Sequence, residues 1–369
     1  MVQVREIAIS NSLILHVKSF RVDMSQDEED DHVPAKAECE ARINAFVEVT
    51  NTNEALAQMM LQENEWNLDL AVADYFKDEQ ASTSAREPHR PRSGIPAEIQ
   101  DQVTTKAPEK LSLVSWNIDG LDEKNLKARC RAIIQQIEHH ALDIVCLQEV
   151  IPTTLAYLKD KLPHYLILSD HDKEADYFTA ILLRRFTVYL DDFKTIPFLE
   201  SRMGRDLMMA NCHIGQAKLC IMTTHLESTR EFAQERINQL SRCFREVQAV
   251  CQKDPSRTVI LGGDLNLRDP ELEQLGGLPP GLEDLWIQTG SRDACRYTWD
   301  LTRNNNLQIA GGRTKPRCRF DRLYIQDSAP RRLTAEYFGL FGIERVPGCQ
   351  RFPSDHWGIM SVFKVKSNE

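Results

Sequence analysis

The chain has 369 residues, of which 42% are hydrophobic and 27% are charged. This balance is typical of globular proteins and excludes a fibrous, collagen-like or wholly disordered chain. The length predicts two domains or one large one. The net charge of −10 lies in residues 1–110, which carry 11 basic and 21 acidic side chains, whereas residues 111–369 carry 34 of each. The overall acidity is therefore no argument against a polyanionic partner for the second part of the chain.

Hydropathy and cysteine content indicate which cellular compartment to expect for the protein. No stretch approaches the ~18 consecutive apolar residues of a membrane span, and no cleavage-site pattern follows the first apolar patch, so we expect no membrane partner and no secretion. The ten cysteines form no C-x-x-C pair and no zinc-type Cys/His cluster. Cys146, Cys212 and Cys220 lie in apolar runs, which predicts buried free thiols in a reducing compartment, the nucleus or the cytosol.

The front of the chain divides into a tail and a helical module. Residues 1–34 contain the run D-E-E-D-D, and such like charges predict a disordered tail. Over residues 35–78, apolar side chains recur at helical spacing and predict three short helices, the third from Leu68 to Phe76. The segment W-N-L-D-L-A-V-A-D-Y-F at Trp66–Phe76 resembles the third helix of ubiquitin-associated domains. The resemblance implies ubiquitin as a partner, and a bundle that only packs on its neighbour is the alternative.

The rest of the chain separates into a linker and a large domain. Residues 79–110 contain four prolines and no aromatic side chain, which predicts a mobile linker. From residue 111, short β-rich runs alternate with helical stretches at 126–139 and 230–251. Several strands are continuously apolar, as in sheets covered on both faces, and others follow one another like hairpins. We therefore predict an α/β domain over residues 111–369, built as a layered sandwich with mixed sheets.

Polar side chains follow many of these predicted strands. The segments are S-W-N-I-D-G (115–120), L-Q-E (147–149), T-H-L-E (224–227), G-G-D-L-N-L-R-D (262–269), R-F-D-R (319–322) and S-D-H-W-G (354–358). Turn formation alone explains any one of them, because Asn, Asp and Gly favour turns. Six such segments in one domain indicate an active site, since strand ends are where α/β scaffolds place converging polar groups.

The side chains in these segments suit phosphoester hydrolysis. Glu149 is a hard oxygen ligand of the kind that magnesium prefers. Asp264 and Asn266 are two residues apart, so an extended chain would point both to one side, one toward a water and the other toward a phosphoryl oxygen. Asp321 and His356 can form a pair in which the carboxylate favours the imidazolium. Neither a nucleophile elbow nor a P-loop is present, which favours metal-assisted attack by water.

Taken together, N-I-D-G, L-Q-E, H-L-E-S-T, G-D-L-N and S-D-H-W-G resemble the exonuclease–endonuclease–phosphatase superfamily, and they occur in its motif order. The resemblance implies a DNase I-like fold, a four-layer α/β/β/α sandwich that here follows a small three-helix domain. The roles it implies are magnesium binding for Glu149 (manganese being the alternative ion), phosphate contact for Asn117 and Asn266, activation of water for Asp264, and a paired imidazole for Asp321 and His356.

The longer motifs S-W-N-I-D-G-L-D, H-L-E-S-T-R, G-G-D-L-N-L-R-D and R-F-P-S-D-H-W-G resemble one branch of this superfamily. That branch removes a topoisomerase II tyrosine from a 5′ DNA phosphate and leaves a 5′-phosphate end for double-strand break repair. The resemblance implies magnesium-dependent hydrolysis of 5′-phosphotyrosyl DNA, a topoisomerase II-derived peptide as second partner, and a nuclear location with a cytoplasmic pool as a further option. The residues it implies at the DNA are Asp119, Tyr177, His225, Ser228, Arg230, Arg268, Trp299 and Phe320.

Aromatic and basic residues near the motifs are consistent with a bound DNA end. The run 313–322 contains five cations, namely Arg313, Lys315, Arg317, Arg319 and Arg322. Bases stacked on aromatic rings beside a basic groove are typical of single-strand binding. The alternative is that Trp299 and Phe320 are core residues and the arginines a solvated face. An inositol-phosphate phosphatase, an abasic-site endonuclease and a ubiquitin-binding scaffold remain open as alternative functions.

Overall fold

The structure is a computed structural model that describes residues 36–50, 52, 54–64, 66–72, 108–170, 176–307 and 315–366. The chain divides into two compact units, Met1–Pro88 and His89–Glu369, each with its own hydrophobic core. The predicted acidic tail, most of the predicted linker and the end of the third predicted helix lie outside the described residues.

The described part of the first unit consists of short helices. They are α1 (Lys36–Thr50) and α2 (Glu54–Glu63), followed by helical backbone at residues 68–72. Among the described residues of this unit, the buried hydrophobic cluster consists of Phe46, Ala57, Met60, Leu61, Trp66 and Ala71. The first two predicted helices are present, and the described part of the third is helical.

Two six-stranded sheets and their helices form the second unit. The strands are β1 (Lys110–Asn117), β2 (Ile144–Val150), β3 (Tyr165–Leu168), β4 (Phe178–Arg184), β5 (Tyr189–Pro197), β6 (Asp206–Ile214), β7 (Ala217–His225), β8 (Arg257–Asp264), β9 (Leu282–Asp284), β10 (Trp299–Asp300), β11 (Arg317–Cys318), β12 (Asp321–Gln326), β13 (Leu333–Phe341) and β14 (Gly358–Val365). The helices are α3 (Leu126–His139), α4 (Pro152–Lys161), α5 (Ala233–Lys253), α6 (Asp269–Gln274) and α7 (Leu285–Gln288).

The order and direction of the strands define the two sheets of the second unit. The first sheet runs β13–β14–β1–β2–β4–β3 and the second β5–β6–β7–β8–β12–β9, while β10 and β11 pair separately. In each sheet one central pair is parallel, β1 with β2 and β7 with β8, and the other pairs are antiparallel. The parallel pairs are connected by α3 and α5, because a parallel connection must cross one face of its sheet. The mixed sheets confirm the prediction.

The core lies between the sheets. Ile181 of the first sheet and Ile260 of the second belong to one buried cluster. On the outer face of the second sheet, Phe244 of α5 packs edge-on against Tyr324 of β12, with ring centroids 6.2 Å apart. Helix α3 buries Ile137 on its inner side. The resulting four-layer α/β/β/α sandwich confirms the predicted fold class.

The three cysteines of the apolar runs lie in the interior of the second unit. Cys146, Cys212 and Cys220 are buried free thiols, as predicted. Within the described ranges, no helix combines the length and the apolar character needed to cross a bilayer.

The pairing of strands brings the predicted site residues to one end of the sandwich. Because β1 and β2 are parallel, Asn117 and Glu149 lie at the same edge of the first sheet. In the second sheet His225 pairs with Asp264 across the parallel strands, and Asp321 pairs with Asp264 across the antiparallel ones. The site is therefore assembled from the ends of central strands of both sheets.

Candidate active site

Asn117 connects the two sheets at this end of the domain. Its side-chain amide Nδ2 donates to Glu149 Oε1 at 2.9 Å and to Asp264 Oδ2 at 3.0 Å. Its Oδ1 accepts the backbone N–H of Asp119 at 2.9 Å. Both amide hydrogens are thus used to hold two carboxylates at a fixed separation.

Glu149 lies where β2 is irregular. Its φ is 55°, and the register with β4 shifts between Leu147 and Val150, so the bulge turns this side chain out of the regular alternation. A side chain at Gly120 would collide with the carbonyl oxygen of Glu149, which explains why glycine follows the first motif. Burial raises the pKa of Glu149 to about 7, and the neighbouring Asp355 adds to the shift against the hydrogen bond from Asn117.

The acids around Glu149 suit a bound cation. Burial also raises the pKa of Asp119 to about 7; the charges of Asp355 and Glu149 add to the shift, and the Arg129 guanidinium, 3.6 Å from Asp119 Oδ2, opposes it. Carboxylates that raise one another's pKa in a buried place form a site that a cation stabilises, and oxygen donors of this kind suit magnesium or manganese. The donor set therefore fits a metal ion at Glu149.

A second acidic cluster has the spacing of a metal site. Among the described residues, Asp264, Asp321 and His356 offer ligand atoms within 4.8 Å of one another. His356 Nδ1 lies 2.9 Å from Asp321 Oδ2. Burial opposes the charge of His356, but Asp321, Asp264 and Asp355 hold its pKa well above the usual range. With no ion bound, these acids favour the imidazolium form of His356.

His356 is fixed in place by its neighbours. Ser354 Oγ accepts the backbone N–H of His356 at 3.0 Å and donates to the carbonyl of Asn117 at 2.6 Å. Trp116 Nε1 donates to the carbonyl of His356 at 3.1 Å. His356 Nε2 then lies 3.7 Å from Asp264 Oδ2. The imidazolium therefore faces the centre of the site.

Asp264 is the ionised carboxylate of the site. Burial opposes its charge, yet the imidazolium of His356 and the hydrogen bonds from Asn117 and from the N–H of Asn266 hold its pKa below the usual range. Its Oδ1 accepts the backbone N–H of Asn266 at 3.0 Å.

The backbone conformation of Asn266 differs from the predicted extended one. Its φ is 47°, in the left-handed region that Asn tolerates, so the chain is not extended after Asp264. The expected arrangement of both side chains on one face of an extended chain is wrong here. Instead Asn266 Nδ2 donates to the carbonyl of Leu226 and to Ser228 Oγ, each at 3.3 Å.

His225 is a neutral imidazole, whereas His356 is protonated. Arg205 Nη1 donates to His225 Nδ1 at 2.7 Å, so the proton of the neutral ring lies on Nε2. Burial and the charge of Arg205 lower the pKa of His225 to about 3. His225 Nε2 lies 3.4 Å from Asp264 Oδ2 and 4.0 Å from Glu149 Oε1. The site thus contains one neutral and one charged imidazole.

Arg205 is a site residue that the sequence did not indicate. Besides His225, it donates to Ser228 Oγ at 3.1 Å, and its guanidinium lies 5.0 Å from the centroid of the Tyr177 ring. It precedes β6 and belongs to no strand-end motif, so no pattern in the sequence marked it. Three of the residues predicted to contact DNA are thereby linked by one buried cation.

Glu227 is a second residue without a predicted role. Its carboxylate accepts from Ser201 Oγ at 2.8 Å, from the N–H of Arg202 at 2.9 Å and from Gln239 Nε2 at 3.0 Å. These bonds hold the loop that leads to Arg205.

Trp299 and Phe320 form an aromatic wall beside His356. Their ring centroids are 5.6 Å apart, and Phe320 lies 6.4 Å from His356. Trp299 Nε1 donates to Asp355 Oδ2 at 3.0 Å, and the Arg268 guanidinium lies 5.3 Å from the Phe320 centroid. Phe320 is buried, whereas Trp299 is half-buried. Trp299 therefore presents the open part of the wall.

Arg230 is the predicted residue least connected to the others. It is exposed, and after burial and Arg236 its charge contributes to lowering the pKa of Arg268. Helix α5 begins at Ala233 rather than at the predicted Arg230, because the residues before it form a turn that ends in the non-helical backbone of Phe232.

Three of the five cations in the run 313–322 are paired with acids. Arg317 pairs with Asp300 at 2.9 Å, Arg322 pairs with Asp269 at 2.6 Å, and Arg319 pairs with Asp284; Arg313 lies outside the described residues. The acids come from distant segments, so the local charge count in the sequence overstated the positive charge.

Comparison with known proteins identifies the family. Residues 114–356 match the endonuclease/exonuclease/phosphatase family, and residues 40–82 match the UBA-like domain. The tyrosyl-DNA phosphodiesterase 2 of Homo sapiens is 37% identical over 333 residues, which cover 85% of this chain and 90% of that protein. The protein of the same name from Xenopus laevis is 36% identical over 352 residues, covering 87% and 92%. The chain belongs to the tyrosyl-DNA phosphodiesterase 2 family.

Solved structures agree with this assignment. The Danio rerio member of this family complexed with single strand DNA product matches 69% of this chain and 99% of its own, with 38% identity and a TM-score of 0.65. A Caenorhabditis elegans member matches 94% of this chain and 100% of its own, with 31% identity and a TM-score of 0.64. The family resemblance found in the motifs is confirmed.

Proposed function

We propose that the protein is a metal-dependent phosphodiesterase that hydrolyses the bond between a tyrosine and a 5′ DNA phosphate. It releases a topoisomerase II-derived peptide and leaves a 5′-phosphate end for double-strand break repair. The names of the relatives and the single strand DNA product in the Danio rerio complex support this function. The observation that carries it is the convergence of four side chains: Asn117 hydrogen-bonds both Glu149 and Asp264, and His356 Nε2 lies 3.7 Å from Asp264 Oδ2.

Asp264 is placed to act on the attacking water. Its lowered pKa keeps it ionised, so it accepts a proton as the water oxygen forms its bond to phosphorus. The bond between phosphorus and the tyrosine oxygen breaks, and its electron pair leaves with the phenolic oxygen, which then takes a proton from solvent. The products are a 5′-phosphate and a free tyrosine side chain.

His356 supplies positive charge where negative charge develops. Its raised pKa keeps the imidazole protonated, and Asp321 orients the ring from behind. A fixed cation beside the phosphoryl oxygens stabilises the transition state in a site from which water is largely excluded. Asn117 positions the two carboxylates, because both of its amide hydrogens are donated to them.

Glu149 would hold the metal ion, which we propose to be magnesium, with manganese able to replace it. When bound, the ion neutralises charge on the phosphoryl oxygens as a Lewis acid. Burial raises the pKa values of Glu149 and Asp119, and a bound ion would stabilise the charged forms of both carboxylates.

The residues around this centre suit a DNA end. Trp299 offers a half-exposed ring on which a base can stack. Arg268 and Arg230 supply positive charge near the wall, and Ser228 is a hydroxyl between Asn266 and Arg205. On the other side, Tyr177 and Arg205 form an aromatic–cation pair that can contact the tyrosyl group.

A substrate comparison tests this function. The protein is incubated with magnesium and a 5′-phosphotyrosyl oligonucleotide, an inositol phosphate or an abasic-site duplex. We expect kcat/KM to be highest for the phosphotyrosyl oligonucleotide. A preference for either other substrate would select the corresponding alternative function and contradict the proposal.

We further propose that residues 35–78 bind ubiquitin. The match to the UBA-like domain supports this role, and Val49 and Leu70 expose large apolar side chains on this unit. Titration of isotope-labelled ubiquitin with the full chain should shift ubiquitin resonances, and Leu70→Asp should weaken the shifts. Absence of any shift would leave this unit without a ubiquitin-binding role.

We also propose a nuclear location with a cytoplasmic pool, in keeping with a DNA substrate. Imaging of the full chain fused to a fluorescent protein tests it. A signal confined to the cytoplasm would contradict it.

A further inference from the structure

Thr298 lies next to Asp321 in the interior of the domain. It is buried, directly precedes Trp299 of β10, and belongs to none of the polar segments that follow the predicted strands. Its Oγ1 accepts the backbone N–H of Phe320 at 3.2 Å and the backbone N–H of Asp321 at 3.1 Å. The Thr298 hydroxyl is therefore in direct contact with the residue that orients His356.

The hydrogen-bonding capacity of this hydroxyl determines where its proton goes. A threonine hydroxyl has two acceptor positions and one donor. The two backbone N–H groups occupy both acceptor positions, so the hydroxyl proton is left to be donated. Asp321 Oδ1 is buried, and no other donor meets it at regular hydrogen-bond geometry among the described residues. Burial raises the pKa of Asp321, and a hydrogen bond from Thr298 is among the contacts that oppose this rise.

The backbone of Thr298 connects the segments that carry the acid and the imidazole. Its carbonyl accepts the N–H of Trp357, the residue after His356, at 2.7 Å. Its own N–H donates to the carbonyl of Cys318 in β11 at 3.0 Å. The side chains of Thr298 and Asp321 are buried, so water does not compete for the bonds between them. One residue thus fixes both segments of the Asp321–His356 pair.

We propose that Thr298 is a positioning residue of the reaction, whose hydroxyl donates to Asp321 and keeps the Asp321 carboxylate directed at His356 Nδ1. Asp321 Oδ2 lies 2.9 Å from that nitrogen. Thr298 therefore acts through Asp321 and not on the substrate. The proposal rests on the proposed function, because only a reaction that uses the His356 imidazolium depends on this orientation.

Proton NMR of the full chain tests this orientation without turnover. The proton between Asp321 and His356 should give a signal far downfield of the backbone amides, because the bond is charge-assisted and buried, and Asp321→Asn assigns the signal by removing it. Thr298→Val, which keeps the shape but not the hydroxyl, should weaken and shift the signal. Thr298→Ser, which keeps the hydroxyl, should give the signal of the parent protein.

Thr258→Val is the matched control for the loss of a buried hydroxyl. Thr258 is fully buried at the start of β8, and its Oγ1 donates to Ser328 Oγ at 3.1 Å. Because neither residue contacts Asp321 or His356, the downfield signal and kcat should both match those of the parent protein.

Kinetics on a 5′-phosphotyrosyl oligonucleotide gives a second readout. Thr298→Val should lower kcat roughly tenfold, the effect of losing one hydrogen bond to a charged group. KM should change by less than about twofold, because valine preserves the shape of the residue next to Trp299. On the Asp321→Asn background the same substitution should lower kcat by less than about twofold, since Thr298 acts through the Asp321 carboxylate. Thr298→Ala replaces the valine variant if that protein does not fold.

Three results would overturn the proposal. They are an unchanged downfield signal in Thr298→Val, an equal loss of kcat in Thr298→Val and Thr298→Ser, and a further loss of roughly tenfold on the Asp321→Asn background. A parent protein whose signal responds to Thr298→Val as expected, but which cleaves no phosphotyrosyl DNA, refutes the proposed function and supports the positioning of Asp321 by Thr298.

Discussion

Replacing Asp321 with asparagine removes the buried charge behind His356 and preserves the shape of the side chain. Asp321 Oδ2 lies 2.9 Å from His356 Nδ1, and Asp321 is fully buried, so solvent cannot replace its charge. After burial, which opposes protonation, Asp321 is the largest influence on the pKa of His356 and raises it. Asp264 and Asp355 act in the same direction and remain in the variant.

The expected change in the pKa of His356 follows from the strength of its hydrogen bond to Asp321. A hydrogen bond to a charged group contributes ~1.5–3 kcal/mol, which at ~1.36 kcal/mol for each pKa unit corresponds to a fall of ~1–2 units in the pKa of His356. The folded protein raises this pKa, so the imidazolium is present at low pH and is lost as pH rises through the folded value. In Asp321→Asn the alkaline decline of kcat/KM should therefore move to lower pH by ~1–2 units, with a loss of ~10–100-fold on the alkaline side.

The assay is the pH profile of kcat/KM on a 5′-phosphotyrosyl oligonucleotide. Asp191→Asn provides a matched control, because Asp191 pairs with His213 at 2.7 Å on an exposed surface. Its profile should coincide with that of the parent protein. An unchanged alkaline limb in Asp321→Asn, or an equal loss at every pH in a protein that remains folded, would refute the role given to His356.

Three further predictions concern the proposed metal site, the contact of Arg205 with His225, and the stability of the fold. Glu149→Gln should abolish magnesium-dependent thermal stabilisation as well as turnover, because ligand binding to the native state raises stability, and a calorimetric scan with and without magnesium checks this. Arg205→Gln should raise KM for the tyrosyl substrate by roughly tenfold, since it removes a donor to His225 Nδ1, and steady-state kinetics measures it; an unchanged KM would contradict that role. Arg236→Met should lower the free energy of unfolding by ~3–5 kcal/mol, because Glu271 accepts two bonds from this buried guanidinium, and denaturant titration gives the value. A loss below ~1 kcal/mol would indicate that the pair is not buried as described.

The sequence predicted the strand-end residues because their pattern is local. Each of Asn117, Glu149, His225 and Asp264 directly ends or closely follows an apolar run, and parallel pairing then places such ends at one edge of a sheet. The two-sheet architecture itself came from the family resemblance.

Other features depend on contacts between distant segments and leave no local pattern. Arg205 acts through His225 and Tyr177, neither of which adjoins it in sequence. The cations Arg317 and Arg319 are paired by acids that only the fold brings near them. Backbone geometry was a further source of error, because spacing alone cannot distinguish an extended residue from one in the left-handed region.

Hydrolysis in water enriched in oxygen-18 tests the central claim most directly. The protein is given magnesium and a 5′-phosphotyrosyl oligonucleotide, and mass spectrometry locates the label in the products. Attack by water on phosphorus predicts one labelled oxygen in the 5′-phosphate, none in the tyrosine, and no product from His356→Ala or with a chelator present. Label in the tyrosine hydroxyl, or cleavage by His356→Ala at the parent rate, would contradict the account.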